Sequence, residues 1–228
     1  MDSRFIFPAH RPNRRALIFL ALLLGALWPA APARAQESVM DTVHNLSRSG
    51  PGALKSTTET DACGFCHVPH AAEPRIPLWG HALSNASYKV YTSPTLDAAV
   101  PQPNGASKLC LGCHDGTIAL GDLNHARVDL GRLPAASRSN LGTDLSGSHP
   151  VSLEVGQVMV ERNNAAASTL ADLQLMLTDP DGVRLDAEDR LQCTSCHDAH
   201  SDANYKASGI HFWRKPTFSE VCLVCHLP

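Results

Sequence analysis

The longest apolar run of the chain lies close to its N-terminus. Residues 16–27 are 12 consecutive apolar positions, preceded by four arginines and followed by the small residues Ala33-Arg34-Ala35. This order predicts a secretory signal peptide that is cleaved after Ala35. A membrane-spanning helix needs about 20 apolar residues, so an uncleaved anchor fits the run less well. The residues after Arg14-Arg15 match a twin-arginine export signal poorly.

Beyond residue 35 the pattern of apolar and polar positions predicts little regular structure. Residues 86–107 contain three prolines among Ser, Thr and Ala, which is typical of coil. Gly, Ser and Asn are frequent at residues 130–148, which indicates a loop. Leucines alternate at residues 173–177, and the turn sequence Asp179-Pro-Asp-Gly182 follows them. This last pattern predicts a small β-hairpin.

The composition of residues 36–228 limits both the core and the partners. Removal of residues 1–35 lowers the net charge from −3 to −7, which argues against nucleic acid as a partner. The 193 remaining residues include only eight aromatic side chains. Such a chain builds a thin apolar core, and we expect no membrane span after the signal peptide.

All eight cysteines fall into four Cys-x-x-Cys-His motifs. Disulfides, four-thiolate zinc sites and redox-active dithiols are the alternatives for paired cysteines, but none requires a histidine after each pair. Histidine fills 12 of 228 positions, so four coincidences have a probability of about 10⁻⁵. The motifs, named the first to the fourth in chain order, are Cys63-Gly-Phe-Cys66-His67, Cys110-Leu-Gly-Cys113-His114, Cys193-Thr-Ser-Cys196-His197 and Cys222-Leu-Val-Cys225-His226.

The spacing of each motif suits covalent attachment of haem c. Two thiols three residues apart lie on one side of a helical turn, where both can add to the vinyl groups of one porphyrin. The histidine that follows becomes the proximal ligand of the iron. We therefore expect four haems, and we expect folding to depend on them because they supply the missing apolar volume.

Beyond residue 35, seven histidines outside the motifs can supply the sixth iron ligands, against only three methionines, Met40, Met159 and Met176. Bis-histidine haems of low potential are therefore expected, since methionine ligation would raise the potential. His70 and His200 each follow a proximal histidine by three residues. Neither can reach the far face of its own haem, but each can reach a neighbouring haem. The alternative for both is an exposed loop histidine.

The other candidate ligands differ in context. Pro150 keeps His149 out of a helix and fixes the local backbone, which suits a ligand presented from a rigid loop. His44 lies near the mature N-terminus and His81 follows Pro-Leu-Trp-Gly, so either residue can complete the set. His125 and His211 have little context, and exposure is the expectation for both.

The motifs form an internal repeat. Cys-x-x-Cys-His-x-x-His followed by a second Cys-x-x-Cys-His occurs at residues 63–114 and again at 193–226. We expect a signal peptide, residues 1–35, and one tetrahaem domain, residues 36–228. The domain divides into two haem-pair halves, about 44–130 and 186–228, with a ligand-presenting insert between them.

Several stretches between His44 and His226 occur in a specific order. They are His44-Asn-Leu-Ser, Cys63-Gly-Phe-Cys-His-Val-Pro-His70, Pro77-Leu-Trp-Gly-His81, Cys110-Leu-Gly-Cys-His-Asp-Gly-Thr117, Ser148-His-Pro-Val151 and Cys193-Thr-Ser-Cys-His-Asp-Ala-His200. This order resembles the doubled-CXXCH multihaem cytochromes. More narrowly, it resembles the tetrahaem cytochromes that stack head to tail into extracellular conductive filaments.

The resemblance implies a fold that is mostly irregular coil, with short α-helices at the haem motifs, wrapped around a four-haem chain. It implies bis-histidine haems and a possible head-to-tail homopolymer, in which His44 is the candidate to ligate a haem of the next subunit. Ligation by His44 within its own chain, or no ligation, is the alternative.

The expected function is electron transfer to redox protein partners or extracellular electron acceptors. A soluble periplasmic carrier is the first alternative. The second is a haem enzyme or gas sensor with one open iron, but no motif departs from Cys-x-x-Cys-His, so no enzymatic activity is expected.

Overall fold

Short helices joined by long irregular segments make up the part of the chain that the structure describes. The computed structural model describes residues 38–68, 78–96, 98–156, 177, 179 and 182–226. Where the chain is described, its strand pairing consists of isolated bridges and no sheet forms. The predicted coil with a few short helices is confirmed.

The described helices are few and short. The α-helices are α1 (Gly105–His114), α2 (Cys193–Cys196), α3 (Tyr205–Ser208) and α4 (Phe218–Cys222), and 3₁₀ helices span Val39–Asp41 and Cys63–Phe65. Every Cys-x-x-Cys-His motif therefore contains helical residues. Predicted coil at residues 86–107 gives way to α1 at Gly105.

Local sequence explains where these helices begin and end. Helix α4 begins with a capping box, in which Glu220 N–H donates to Thr217 Oγ1 (3.2 Å) and Thr217 N–H donates to Glu220 Oε2 (2.9 Å). Helix α1 ends at Asp115-Gly116, where Gly116 has a φ of 69°. A Cβ atom at Gly116 would lie 2.4 Å from the Asn140 side chain, so this turn requires glycine.

The predicted β-hairpin is not confirmed. Residues 173–176, 178, 180 and 181 lie outside the described residues. The part of the turn and second strand that is described, residues 182–185, contains no strand. Gly182 N–H instead donates to the carbonyl of Asp179 (2.9 Å), so a turn is present without a ladder. The alternation of leucines is therefore not matched by strand pairing in the described part of this segment.

A repeated backbone motif follows the first and third Cys-x-x-Cys-His motifs. Val68 N–H donates to Leu78 O (2.8 Å), and Asp198 N–H donates to Phe212 O (2.7 Å). Each proximal histidine forms an antiparallel bridge with a tryptophan, His67 with Trp79 and His197 with Trp213.

The same backbone conformation recurs in both copies. Leu78 and Phe212 share a left-handed conformation, with φ of 57° and 60°. The internal repeat therefore extends to the backbone of the returning segments.

The apolar core is divided into small clusters. One contains Leu153 and Val155, a second contains Tyr88, Leu111 and Leu145, and a third contains Val183, Trp213 and Val221. Fourteen apolar and thirteen polar or charged residues are buried in the described chain, so hydrogen bonds hold much of its interior. None of the described helices is long and apolar enough to span a membrane.

Gln192 is the centre of the polar contact between α1 and α2. Its Oε1 accepts from Ser107 N–H (3.1 Å) and Ser107 Oγ–H (2.6 Å). Its Nε2 donates to Asn104 Oδ1 (3.1 Å) and Asp186 Oδ2 (2.8 Å). Because Gln192 is 2% exposed, these groups have no access to water as a substitute. This junction fixes the second motif against the third.

Replacing Gln192 with leucine should lower the free energy of unfolding by about 3 kcal/mol, because several buried groups lose their partners. Guanidinium unfolding of the haem-loaded protein, followed by absorbance, measures the loss. Gln102→Leu is the matched control, since Gln102 is exposed although it bonds the Tyr88 backbone twice (2.8 Å each). Equal losses in the two variants would contradict the role of the junction.

Candidate functional site

Consecutive motifs lie next to one another. Gly80 N–H donates to the carbonyl of Cys66 (2.8 Å), and Nε2 of the next residue, His81, lies 3.5 Å from Cys113 Sγ, which places the first motif beside the second. Cys193 N–H donates to Ser107 Oγ in α1 (3.1 Å), which joins the second motif to the third. Cys196 and Val224 pack against the same apolar cluster, which places the third motif beside the fourth. The attachment points therefore form one continuous series.

The environment of the thiols keeps most of them protonated. Burial raises the pKa of Cys66 to about 11 and the pKa of Cys113 to about 12, and neighbouring thiols add to both shifts. The hydrogen bond from Cys110 lowers the pKa of Cys193 to about 7. All eight cysteines are free of disulfides, as attachment to haem requires.

Three pairs of histidine rings face one another across gaps of similar size. His67 and His200 have ring centres 6.1 Å apart, and their planes differ by 12°. The separation is 6.0 Å for the pair His44–His114 and 6.3 Å for the pair His149–His226, with interplanar angles of 64° and 70°. Each pair combines a proximal histidine of one motif with a histidine from a distant segment.

The gap in each pair has the size that an axial ligand pair requires. With metal–nitrogen bonds of about 2 Å, two imidazoles on opposite sides of one metal have ring centres roughly 6 Å apart. Three observed separations of 6.0, 6.1 and 6.3 Å fit this value. Direct contact between stacked rings would be much closer, as in the 3.8 Å stack of Tyr205 on His211.

Backbone carbonyls fix the tautomer of several of these histidines. Because a carbonyl only accepts, the ring Nδ1 facing it carries the proton and Nε2 keeps its lone pair for a metal. The pairs are His44 with Ala199 O (3.4 Å), His114 with Ser139 O (2.8 Å), His149 with Pro150 O (3.0 Å) and His197 with His211 O (3.0 Å). Burial, with a smaller effect of His114, lowers the pKa of His44 to about 4, so its ring is neutral at neutral pH.

The third motif has no facing histidine among the described residues. His197 instead contacts Trp213, with ring centres 5.1 Å apart at 69°. Burial lowers the pKa of His197 and keeps this imidazole neutral. The remaining candidate from the repeat, His70, lies outside the described residues.

The other candidate histidines have different surroundings. His81 is 1% exposed, and its Nδ1 and Nε2 lie 2.8 Å and 3.2 Å from the carbonyls of Ala82 and Ala119. Its Nε2 also lies 3.5 Å from Cys113 Sγ, so His81 contacts the second motif. His125 is exposed, as expected. His211 is also exposed at the surface, but its ring is bonded to Asp202 and stacked on Tyr205.

Two features of the protein fit porphyrins with carboxylate side chains. A small cleft is lined by apolar residues together with His149 and Cys193; among the apolar residues are Leu111, Leu145 and Val151. The indole N–H of Trp79 is buried without an acceptor, the one such side-chain atom in the described chain. Its counterpart, Trp213 Nε1–H, donates to Thr217 O (3.1 Å). A haem carboxylate is the class of acceptor that Trp79 lacks.

Several residues of this site escape motif analysis. Trp79, Gln192 and Phe212 carry no haem-binding pattern, yet each contacts a motif or a candidate ligand, and Asp202 in turn holds the backbone of Phe212. The resemblance between Leu78-Trp79 and Phe212-Trp213, each a large apolar residue before a tryptophan, is the one sequence signal that marks two of them.

The sequence comparison supports the same chemistry. Residues 187–228, which contain the third and fourth motifs, match the family described as the doubled CXXCH motif. No curated protein matches the chain. The match supports a multihaem c-type cytochrome-like protein, and the CXXCH motifs indicate covalent binding of haem c.

Alanine at His44, His149 or His200, one at a time, should convert one low-spin haem into a high-spin haem, because one iron loses its sixth ligand. Absorption and electron paramagnetic resonance (EPR) spectra of the purified holoprotein measure the change. His125→Ala serves as the control and should leave every haem low-spin. Low-spin spectra in all three variants would remove the facing pairs from the ligand set.

Proposed function

We propose that the protein transfers electrons through four covalently bound bis-histidine haems arranged in chain order. The observation that carries this proposal is the unbroken series of contacts from the first motif to the fourth. Since each thiol anchors a porphyrin edge, neighbouring anchors close together favour neighbouring haems close together. An electron can then pass along the series without leaving the protein.

The ligand set supports a carrier rather than a catalyst. His67, His114 and His226 each face a second imidazole, so three irons would be closed to small molecules. His70 is the proposed sixth ligand of the third iron, because it repeats the position of His200 in the first half. The protein's part in the mechanism is to orient the imidazoles, to keep the proton of each ring on Nδ1 where a carbonyl accepts from it, and to exclude water.

Export and partners follow from the sequence. Haem c is attached outside the cytoplasm, which agrees with the predicted signal peptide at residues 1–35. The partners proposed are redox proteins in the periplasm or acceptors outside the cell. The net charge of −7 after cleavage favours partners with basic surfaces.

Assembly into an extracellular filament is the finer proposal. The His44–His114 separation of 6.0 Å within one chain supports ligation of the second haem by the chain's own His44. A filament of this protein would therefore hold its subunits together by surface contacts rather than by His44. A soluble carrier is the alternative, and electron microscopy separates the two.

A haem enzyme or gas sensor is a second candidate function. It is favoured by one observation, which is that His197 faces no histidine among the described residues. An open iron at the third motif would bind small molecules, whereas a carrier needs all four irons closed.

The purified protein should have the mass of residues 36–228 plus four haems, and its ferrous form should leave carbon monoxide unbound. Mass spectrometry and difference spectroscopy test these expectations. The variant His70→Ala should create a carbon monoxide site by opening the third iron, with His125→Ala as its control. A measured mass equal to that of the polypeptide without haem would contradict the proposal. Carbon monoxide binding by the unaltered protein would favour the enzyme or sensor.

Electron microscopy of the secreted protein should show filaments with a regular subunit repeat. His44→Ala should leave these filaments assembled, because His44 is assigned to its own chain. Dispersed particles at high concentration with all haems loaded would favour the soluble carrier. Filaments that disassemble on loss of His44 would show that this histidine crosses between subunits.

A further inference from the structure

One short segment, His211–Trp213, contacts ligands of two haem sites. The carbonyl of His211 accepts from Nδ1–H of His197, the proximal ligand of the third motif (3.0 Å). The ring of Phe212 stacks on His44, which faces the second motif, with centres 4.0 Å apart and planes 13° apart. The orientation of both imidazoles therefore depends on the same piece of backbone.

This backbone is held in an unfavourable conformation. Phe212 has a φ of 60°, in the left-handed region that a bulky side chain rarely adopts. It is also 6% exposed, so its ring is confined by its surroundings. A residue in this conformation needs partners that fix it from outside.

A buried carboxylate supplies those partners. Asp202 is 7% exposed, and its Oδ1 accepts from Phe212 N–H (2.6 Å). Its Oδ2 faces Nδ1 of His211 at 2.6 Å. The His211 ring is in turn stacked on Tyr205, with centres 3.8 Å apart. Asp202 thus holds the segment at two consecutive residues.

The first copy of the repeat lacks the aromatic contact. Leu78 has the φ and the backbone hydrogen bond of Phe212, but it has no ring to stack on an imidazole. Leu78 is 51% exposed, whereas Phe212 is buried. The bend itself therefore does not require an aromatic residue, and the stack on His44 is a specific addition of the second copy.

We propose that Asp202 and Phe212 are positioning residues that jointly set the imidazole orientation at the second and third haems. The inference rests on the proposed function, since it requires iron between the facing histidines. Asp202 fixes the His211 carbonyl and the Phe212 ring at once, which couples the proximal ligand of one haem to the distal ligand of the next. Ring orientation and hydrogen bonding of axial histidines influence the reduction potential of the iron, so Asp202 and Phe212 affect both haems.

The test uses EPR spectra and potentiometric titrations of full-length holoprotein. Asp202→Ala should shift the low-spin signals and midpoint potentials of two haems and leave the other two unchanged. Phe212→Leu, which copies the first repeat, should shift only the haem of the second motif, and Phe212→Tyr should restore it. Asp129→Ala is the matched control, because Asp129 is an exposed carboxylate outside this segment and the four motifs.

Each possible result of these measurements supports or contradicts the proposal. Unchanged signals in both Asp202→Ala and Phe212→Leu would overturn the proposal. Equal shifts of all four haems would also overturn it, since they indicate general loosening. If Asp202→Ala fails to fold, the paired variants Phe212→Leu and Phe212→Tyr give the answer alone. Failure of the proposed function is recognised separately, because the unaltered protein would then lack low-spin bis-histidine signals.

Discussion

Three facing imidazole pairs tie together segments that are remote in sequence. His44, His149 and His200 come from the N-terminal arm, the insert and the loop after the third motif, and each lies opposite a different proximal histidine. Under the proposed function, coordination of iron by such a pair would close a long loop, and the metal–ligand bonds would offset its entropic cost. Without that closure little else in the described chain would keep these segments in register, because helices are short and sheets are absent.

The interior of the described chain depends on polar contacts as much as on apolar packing. Its apolar clusters hold two or three buried residues each, and buried polar side chains are almost as numerous as apolar ones. Networks such as that of Gln192 give directional contacts between motifs where apolar packing is thin. In the proposed tetrahaem form, large planar cofactors would take the place that a hydrophobic core has in other domains of this length.

Chemistry could be predicted from the sequence more fully than geometry. The Cys-x-x-Cys-His motifs and the irregular fold are local properties, and a rigid histidine before Pro150 is one as well. The opposition of His67 and His200 depends on packing across the whole chain, which no local pattern encodes. The surroundings of His81 also lie beyond local pattern, since its ring nitrogens lie near the carbonyls of Ala82 and Ala119, and backbone acceptors leave no trace in sequence. The hairpin prediction rested on alternating leucines and a turn sequence; the turn is present, but residues 182–185 contain no strand.

The histidines of each facing pair come from different segments, which limits how far either half of the chain can function alone. The matched segment, residues 187–228, contains His226, whose opposite imidazole is His149 in the insert. That segment also carries His200, whose opposite imidazole belongs to the first motif. Neither half could therefore be transferred to another protein with its ligands complete. Moving the C-terminal pair of motifs alone would leave His200 without the first motif opposite it, and it would leave the fourth motif without His149.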